Sequence, residues 1–177
     1  MCINSYALFA LDFGMYISKG FETGGERIFT STTGAHVSAN EGEMVRFGIF
    51  TNIFKDVSLR TGMHVMTATF HHSNTSIDLM IGVEFLDNFR FIGGMIFEIN
   101  QSIYTTDGYS GAVPSYENSI ASIVMLECFI IPFKRHSDRK LYLGVSYSSS
   151  ELIEVGNGTV FDGSSYGFYF GFEGNIN

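Results

Sequence analysis

A chain of 177 residues suits one domain, spanning 1–177, and its 18 acidic against 10 basic side chains leave no basic stripe to hold nucleic acid. Eighteen Phe, nine Tyr and twenty Gly against two Pro favour strands and turns over helices. Two cysteines, Cys2 and Cys128, cannot build a disulfide framework, no metal spacing, phosphate loop or nucleotide fingerprint points to a cofactor, and no apolar run is long enough for a membrane-spanning helix.

The chain opens on an apolar run, Tyr6 to Ile17, which Asp12 interrupts and no basic segment precedes. That fits neither a signal peptide nor a helical anchor, so if the protein is exported its signal is absent from this chain. From there the hydrophobic pattern repeats every second residue, the period of a strand. It predicts eight strands, at 5–18, 44–53, 57–70, 76–86, 89–100, 119–133, 140–149 and 165–173. Three of the connections are tight and polar: Phe54 to Asp56, Asp87-Asn88, and Lys134 to Arg139. Those on the opposite side are longer, Gly20 to Glu43, Gln101 to Asn118 and Ser150 to Ser164, except for a short link around His71 to Thr75.

Dividing each strand by parity separates two faces. One reads Ala7, Phe9, Leu11, Phe13, Met15, Ile17 in the first strand and Ile77, Leu79, Ile81, Val83, Phe85 in the fourth, and it carries no charge in any predicted strand. The other collects Asp12, Arg46, Arg60, His64, Asp78, Glu84, Arg90, Glu98, Glu127, Lys140 and Glu173, with glycines between them. Alternation alone does not say which face points inward. A soluble, lipocalin-like barrel carrying an apolar ligand would bury the apolar face. A membrane barrel would turn it to lipid. The scarcity of surface lysine, the crowding of so many Phe, Leu and Ile inside eight strands, and the aromatics Phe85, Phe89, Phe133 and Phe172 near the short turns favour the second.

The expected fold is therefore all-β: a closed, antiparallel up-and-down barrel of the transmembrane type. Even strand number, long loops on one side, and short turns and both termini on the other follow the layout of such barrels. In these features the whole chain resembles the small eight-stranded outer-membrane barrels of Gram-negative bacteria. That resemblance implies a monomer in the bacterial outer membrane, with the lipid bilayer and lipopolysaccharide as its surroundings. Such proteins commonly finish on an aromatic residue, whereas here Phe172 is followed by Glu173 to Asn177.

Three groups of residues are candidates for function. Arg46, Arg60, Asp78, Glu84, Arg90 and Glu98 would form a charge network inside the barrel, either a gate or ion path or a plug that fixes shape, because unpaired charges there are costly. His71-His72-Ser73-Asn74 places a His two residues from a Ser, on one strand face. The motif resembles the His-x-Ser-Asn of lipid A deacylases. That likeness implies an ester hydrolase with Ser73 as nucleophile, His71 as base and Asp78 as the nearest acid, although parity turns Asp78 inward; a plain polar loop reads the same way. Last, the long loops, acidic and Gly/Thr-rich over Gly20 to Glu43 and holding Tyr104, Tyr109 and Tyr116, are where a rigid barrel would bind a ligand. The functions left open are a structural or surface-interaction barrel with a plugged lumen, a lipid A esterase, and a soluble carrier.

Overall fold

A computed structural model describes residues 12–23, 26–28, 36–38, 42–68, 72–103, 120–130, 139–149, 153–155, 159–161 and 164–176. Eight strands form the barrel: β1 Asp12–Thr23, β2 Gly42–Phe54, β3 Val57–Ala68, β4 His72–Phe85, β5 Phe89–Ile103, β6 Ile120–Phe129, β7 Arg139–Ser149 and β8 Ser165–Asn175. Each pairs antiparallel with its neighbour in sequence, and β1 pairs with β8, so the sheet closes. Closure gives every strand two partners and removes the exposed edges of an open sheet.

The two faces divide as their chemistry requires. Ile77, Leu79, Ile81, Val83 and Phe85 of β4 point outward, each at least 40 % exposed, while Ser76, Asp78 and Met80 between them are at most 1 % exposed. The same holds around the ring, with Phe13, Met15 and Ile17 outside on β1 and Phe168, Phe170 and Phe172 outside on β8. This is the reverse of a soluble carrier, which would keep those side chains within. The five outward residues of β4 span about 26 Å along the strand at about 3.3 Å per residue, or about 20 Å along the axis at a tilt near 40°. That is close to the apolar height that outer-membrane barrels present to lipid.

The strands differ from the sequence expectation in several places, among them β4, which begins at His72 rather than 76 and so takes in most of the short link expected there. β1 runs to Thr23 rather than ending at 18, because Gly20 lets the backbone of Phe168–Tyr169 come within contact of its α-carbon side; residues 5–11 of the predicted strand lie outside the described residues. The outward face is not wholly uncharged. Lys19 and Glu43 stand on it at the loop end of the barrel, exposed and joined by an ion pair at 3.0 Å, where the apolar belt gives way to polar surface. Finally, the stretches read as plain loops contain four short strands, Glu26–Ile28, His36–Ser38, Ile153–Val155 and Thr159–Phe161. They form a second sheet in the order 153–155, 159–161, 26–28, 36–38, which repeats the order β7, β8, β1, β2 of the barrel strands that flank them in the chain.

At the opposite end the turn between β4 and β5 is Leu86 to Asn88, one residue longer than expected, and Leu86 and Asp87 both have positive φ (49° and 60°). Phe85 and Phe89 stack across this turn with ring centroids 5.9 Å apart, as an interfacial aromatic pair would. Phe133, assigned to the same girdle, lies outside the described residues.

Candidate functional site

The lumen is crossed by side chains at three depths. Nearest the short turns, Arg90 of β5 donates to Glu127 of β6 through Nε (2.8 Å) and to both carboxylate oxygens of Glu173 on β8 (2.8 and 2.7 Å). Arg60 of β3 donates to the same Glu173 at 3.1 Å. Lys140 of β7 pairs with Glu84 of β4 at the rim, and Arg90 lies 3.6 Å from that Glu84. Aromatic faces complete the tier: the Arg60 guanidinium lies 4.4 Å above Tyr16, and that of Arg90 lies 5.1 Å from Phe129 and 5.5 Å from Tyr142. Removed from water, such cation–π contacts are worth about 2 kcal/mol each.

In the middle, Tyr16 donates to Asp78 Oδ1 at 3.2 Å, and Arg46 Nε approaches Oδ2 at 3.3 Å without the alignment of a hydrogen bond. Tyr169 reaches down to Glu127 at 3.2 Å and so joins this tier to the one below. Toward the loops, Glu22 of β1 accepts from Ser165 of β8 and faces His64 Nε2 at 3.3 Å, while Ser165 also contacts Ser148 at 2.6 Å. Arg46, Arg60, Arg90, Asp78 and Glu127 are each at most 2 % exposed, and Glu22 and Glu173 at most 4 %.

Why these groups fit an eight-stranded bore follows from the glycines. Four of the large inward aromatics stand directly opposite a glycine on the next strand: Phe50 opposite Gly14, Tyr16 opposite Gly48, Tyr142 opposite Gly171 and Tyr169 opposite Gly144. A β-carbon at Gly14, Gly144 or Gly171 would occupy the space of the facing ring, and one at Gly48 or Gly62 would meet the Tyr16 hydroxyl. The missing side chain is the slot in which the ring lies.

Of the residues singled out from sequence, Arg46, Arg60, Asp78 and Arg90 are brought together inside, with Glu84 at the rim. Glu98 lies opposite Ser76 in the β4–β5 register, in the row that also holds His64, but its side chain is outside the described set. Asp12 is exposed at the start of β1. Sequence reasoning left Tyr16, Glu22, Tyr142 and Tyr169 out of the network and did not give Glu127 and Glu173 their central place in it. Parity put all of these but Glu22 on the inward face, Glu22 falling in the stretch 20–43 read as loop, yet parity names a face and not a partner across the lumen. Of the His-x-Ser-Asn group, His71 lies outside the described residues. Ser73 sits opposite Thr67 and Ser102 in register at the loop end of β4, and the Asp78 carboxylate is engaged with Tyr16 and Arg46 inside the barrel. Among the described residues no group of three or more His, Cys, Asp or Glu is placed to hold a metal ion.

Comparison with protein-family models finds no match, and comparison with curated proteins finds none either. Solved structures do match in fold. Neisserial surface protein A superposes with a TM-score of 0.59 at 14 % identity, over 93 % of this chain and 97 % of that one. OprG, an outer membrane protein of Pseudomonas aeruginosa, matches at 0.56 and 10 % identity over 94 % and 97 %. Ail, the attachment invasion locus protein of Yersinia pestis, matches at 0.55 and 10 % identity over 92 % and 99 %, in a complex with the heparin analogue sucrose octasulfate. The fold is thus that of the small outer-membrane β-barrels.

Proposed function

We propose that this chain spans a bacterial outer membrane as a monomeric barrel with a sealed lumen, and that its work is done at the loop end, by contact with partners outside the bilayer. The observation that carries this reading is the tier of Arg60, Arg90, Glu127 and Glu173, whose side chains meet from four strands and are each at most 3 % exposed. An ion entering would have to break several charge-assisted hydrogen bonds in a low-dielectric space, at a cost of several kcal/mol. The outward apolar belt supports bilayer contact, and the Lys19–Glu43 pair stands where lipopolysaccharide head groups would begin. Pairing of all eight strands within one chain supports a monomer. The short sheet, whose strand order repeats that of β7, β8, β1 and β2, gives the loops a framework on which to present a surface.

The charge of that surface bears on its partner. The connections on this side hold Glu26, Glu41, Asp107, Glu117, Glu151, Glu154 and Asp162 against Arg27 alone among Arg and Lys. A polyanion such as the heparin analogue bound to Ail would be repelled here, so the partner is neutral or cationic. Reconstituted in a planar bilayer, the protein is expected to give no stable channel conductance, and in detergent it should pass through heparin resin unretained. Steady single-channel currents would overturn the sealed lumen, and retention released only by salt would overturn the charge argument.

A further inference from the structure

The two lower arginines reach their acids by different routes. Arg90 stands directly opposite Glu84 on β4 and Glu127 on β6, so its charge is balanced by its own strand neighbours before any barrel exists. Arg60 stands opposite Phe50 on β2 and Met80 on β4, neither of which can balance it. Among the described residues its carboxylate partner is Glu173, at 3.1 Å, contributed by the last strand and reached across the lumen. In an unclosed sheet β3 and β8 are five strands apart, about 24 Å at about 4.8 Å per strand, so this pair cannot form there. It exists only once β8 has docked on β1.

We propose that Glu173 is a closure latch: the β1/β8 seam is held shut by a carboxylate that neutralises Arg60 only in the closed ring. Closing the seam and discharging the lumen are then one event. An unclosed sheet carries an unpaired guanidinium against apolar neighbours, which raises its free energy and drives the last strand home. Glu173 also accepts from Arg90, so the latch draws the β3 and β5 sides of the lumen onto the closing strand together.

The test follows closure and hairpin formation separately in the full chain, with Cys2 and Cys128 replaced by Ser, refolded from urea into detergent micelles. The outward register partners Ile17 and Phe172, both changed to Cys, report on the seam. Val83 and Phe91, changed likewise, report on the β4–β5 hairpin. Glu173→Gln is expected to slow disulfide formation across the seam by about tenfold or more while leaving the hairpin pair at its wild-type rate. Glu127→Gln, which removes an acid of the same tier from an internal strand, should leave the seam near its wild-type rate. Arg60→Met combined with Glu173→Gln should restore fast closure. An unchanged seam in Glu173→Gln, equal slowing of both pairs, or equal slowing by Glu127→Gln would overturn the latch. If Glu173→Gln does not fold, the double variant decides: the latch requires that it fold, and failure to do so counts against it.

Discussion

Replacing Arg90 with Met is expected to lower the unfolding free energy by about 3–5 kcal/mol, the cost of breaking a buried ion pair from one side. The loss falls unevenly on its partners. Glu173 keeps Arg60 at 3.1 Å and Lys140 at 4.0 Å, whereas Glu127 keeps only the Tyr169 hydroxyl, at 3.2 Å, among the described residues. Uncompensated buried charge therefore concentrates at Glu127. Adding Glu127→Gln to Arg90→Met should recover more than half of the lost stability, because an amide carries no charge to bury. Urea unfolding in detergent micelles, followed by the change in gel mobility between folded and heated protein, measures both. A single variant that costs less than about 1 kcal/mol would show that the tier is loosely hydrated rather than packed, and a double variant no better than the single would place the damage elsewhere.

Glycines on the two faces should respond in opposite ways. At Gly171 any β-carbon would overlap the Tyr142 ring, which is 1 % exposed and set edge-on to Tyr169 at 6.3 Å. Gly171→Val is expected to cost about 3 kcal/mol, at the upper end of overpacking penalties, and Tyr142→Ser in the same chain should relieve most of it. Gly93 lies on the outward face, and the nearest atom to a new β-carbon there is a ring carbon of Phe91 at 3.7 Å. Gly93→Val should be neutral or stabilising by up to about 1 kcal/mol, since valine suits a strand and glycine does not. Thermal midpoints of the two single variants give the contrast. Equal destabilisation at both would mean that backbone twist, not ring packing, sets the need for glycine.

The fold was largely legible because a barrel wall has only two environments, and a side-chain period of two sorts residues between them. Asp78 next to Leu79, or Arg90 next to Phe91, already states the geometry. Partners across the lumen were not legible, because they depend on how eight strands curl. Arg60 has apolar neighbours on both sides, and nothing near it in the chain points to Glu173, 113 positions away. The aromatic slots were half legible: Tyr142 and Gly171 share the inward parity, but their being opposite each other follows only from the β7–β8 register. Lys19 and Glu43 each stand one residue beyond a predicted strand end, at 18 and 44, so parity was not applied to them. The three-residue strands above the barrel are too short for alternation to register at all.

The orientation of the wall is tested most directly by nitroxide labels placed singly at Ile77, Leu79, Ile81 and Val83 of β4 in reconstituted vesicles. High collision rates with oxygen and low rates with a water-soluble nickel complex are expected at all four, with oxygen access greatest at the middle two. Free access of the aqueous reagent at Leu79 and Ile81 would contradict that orientation, because those side chains would then face water and not acyl chains.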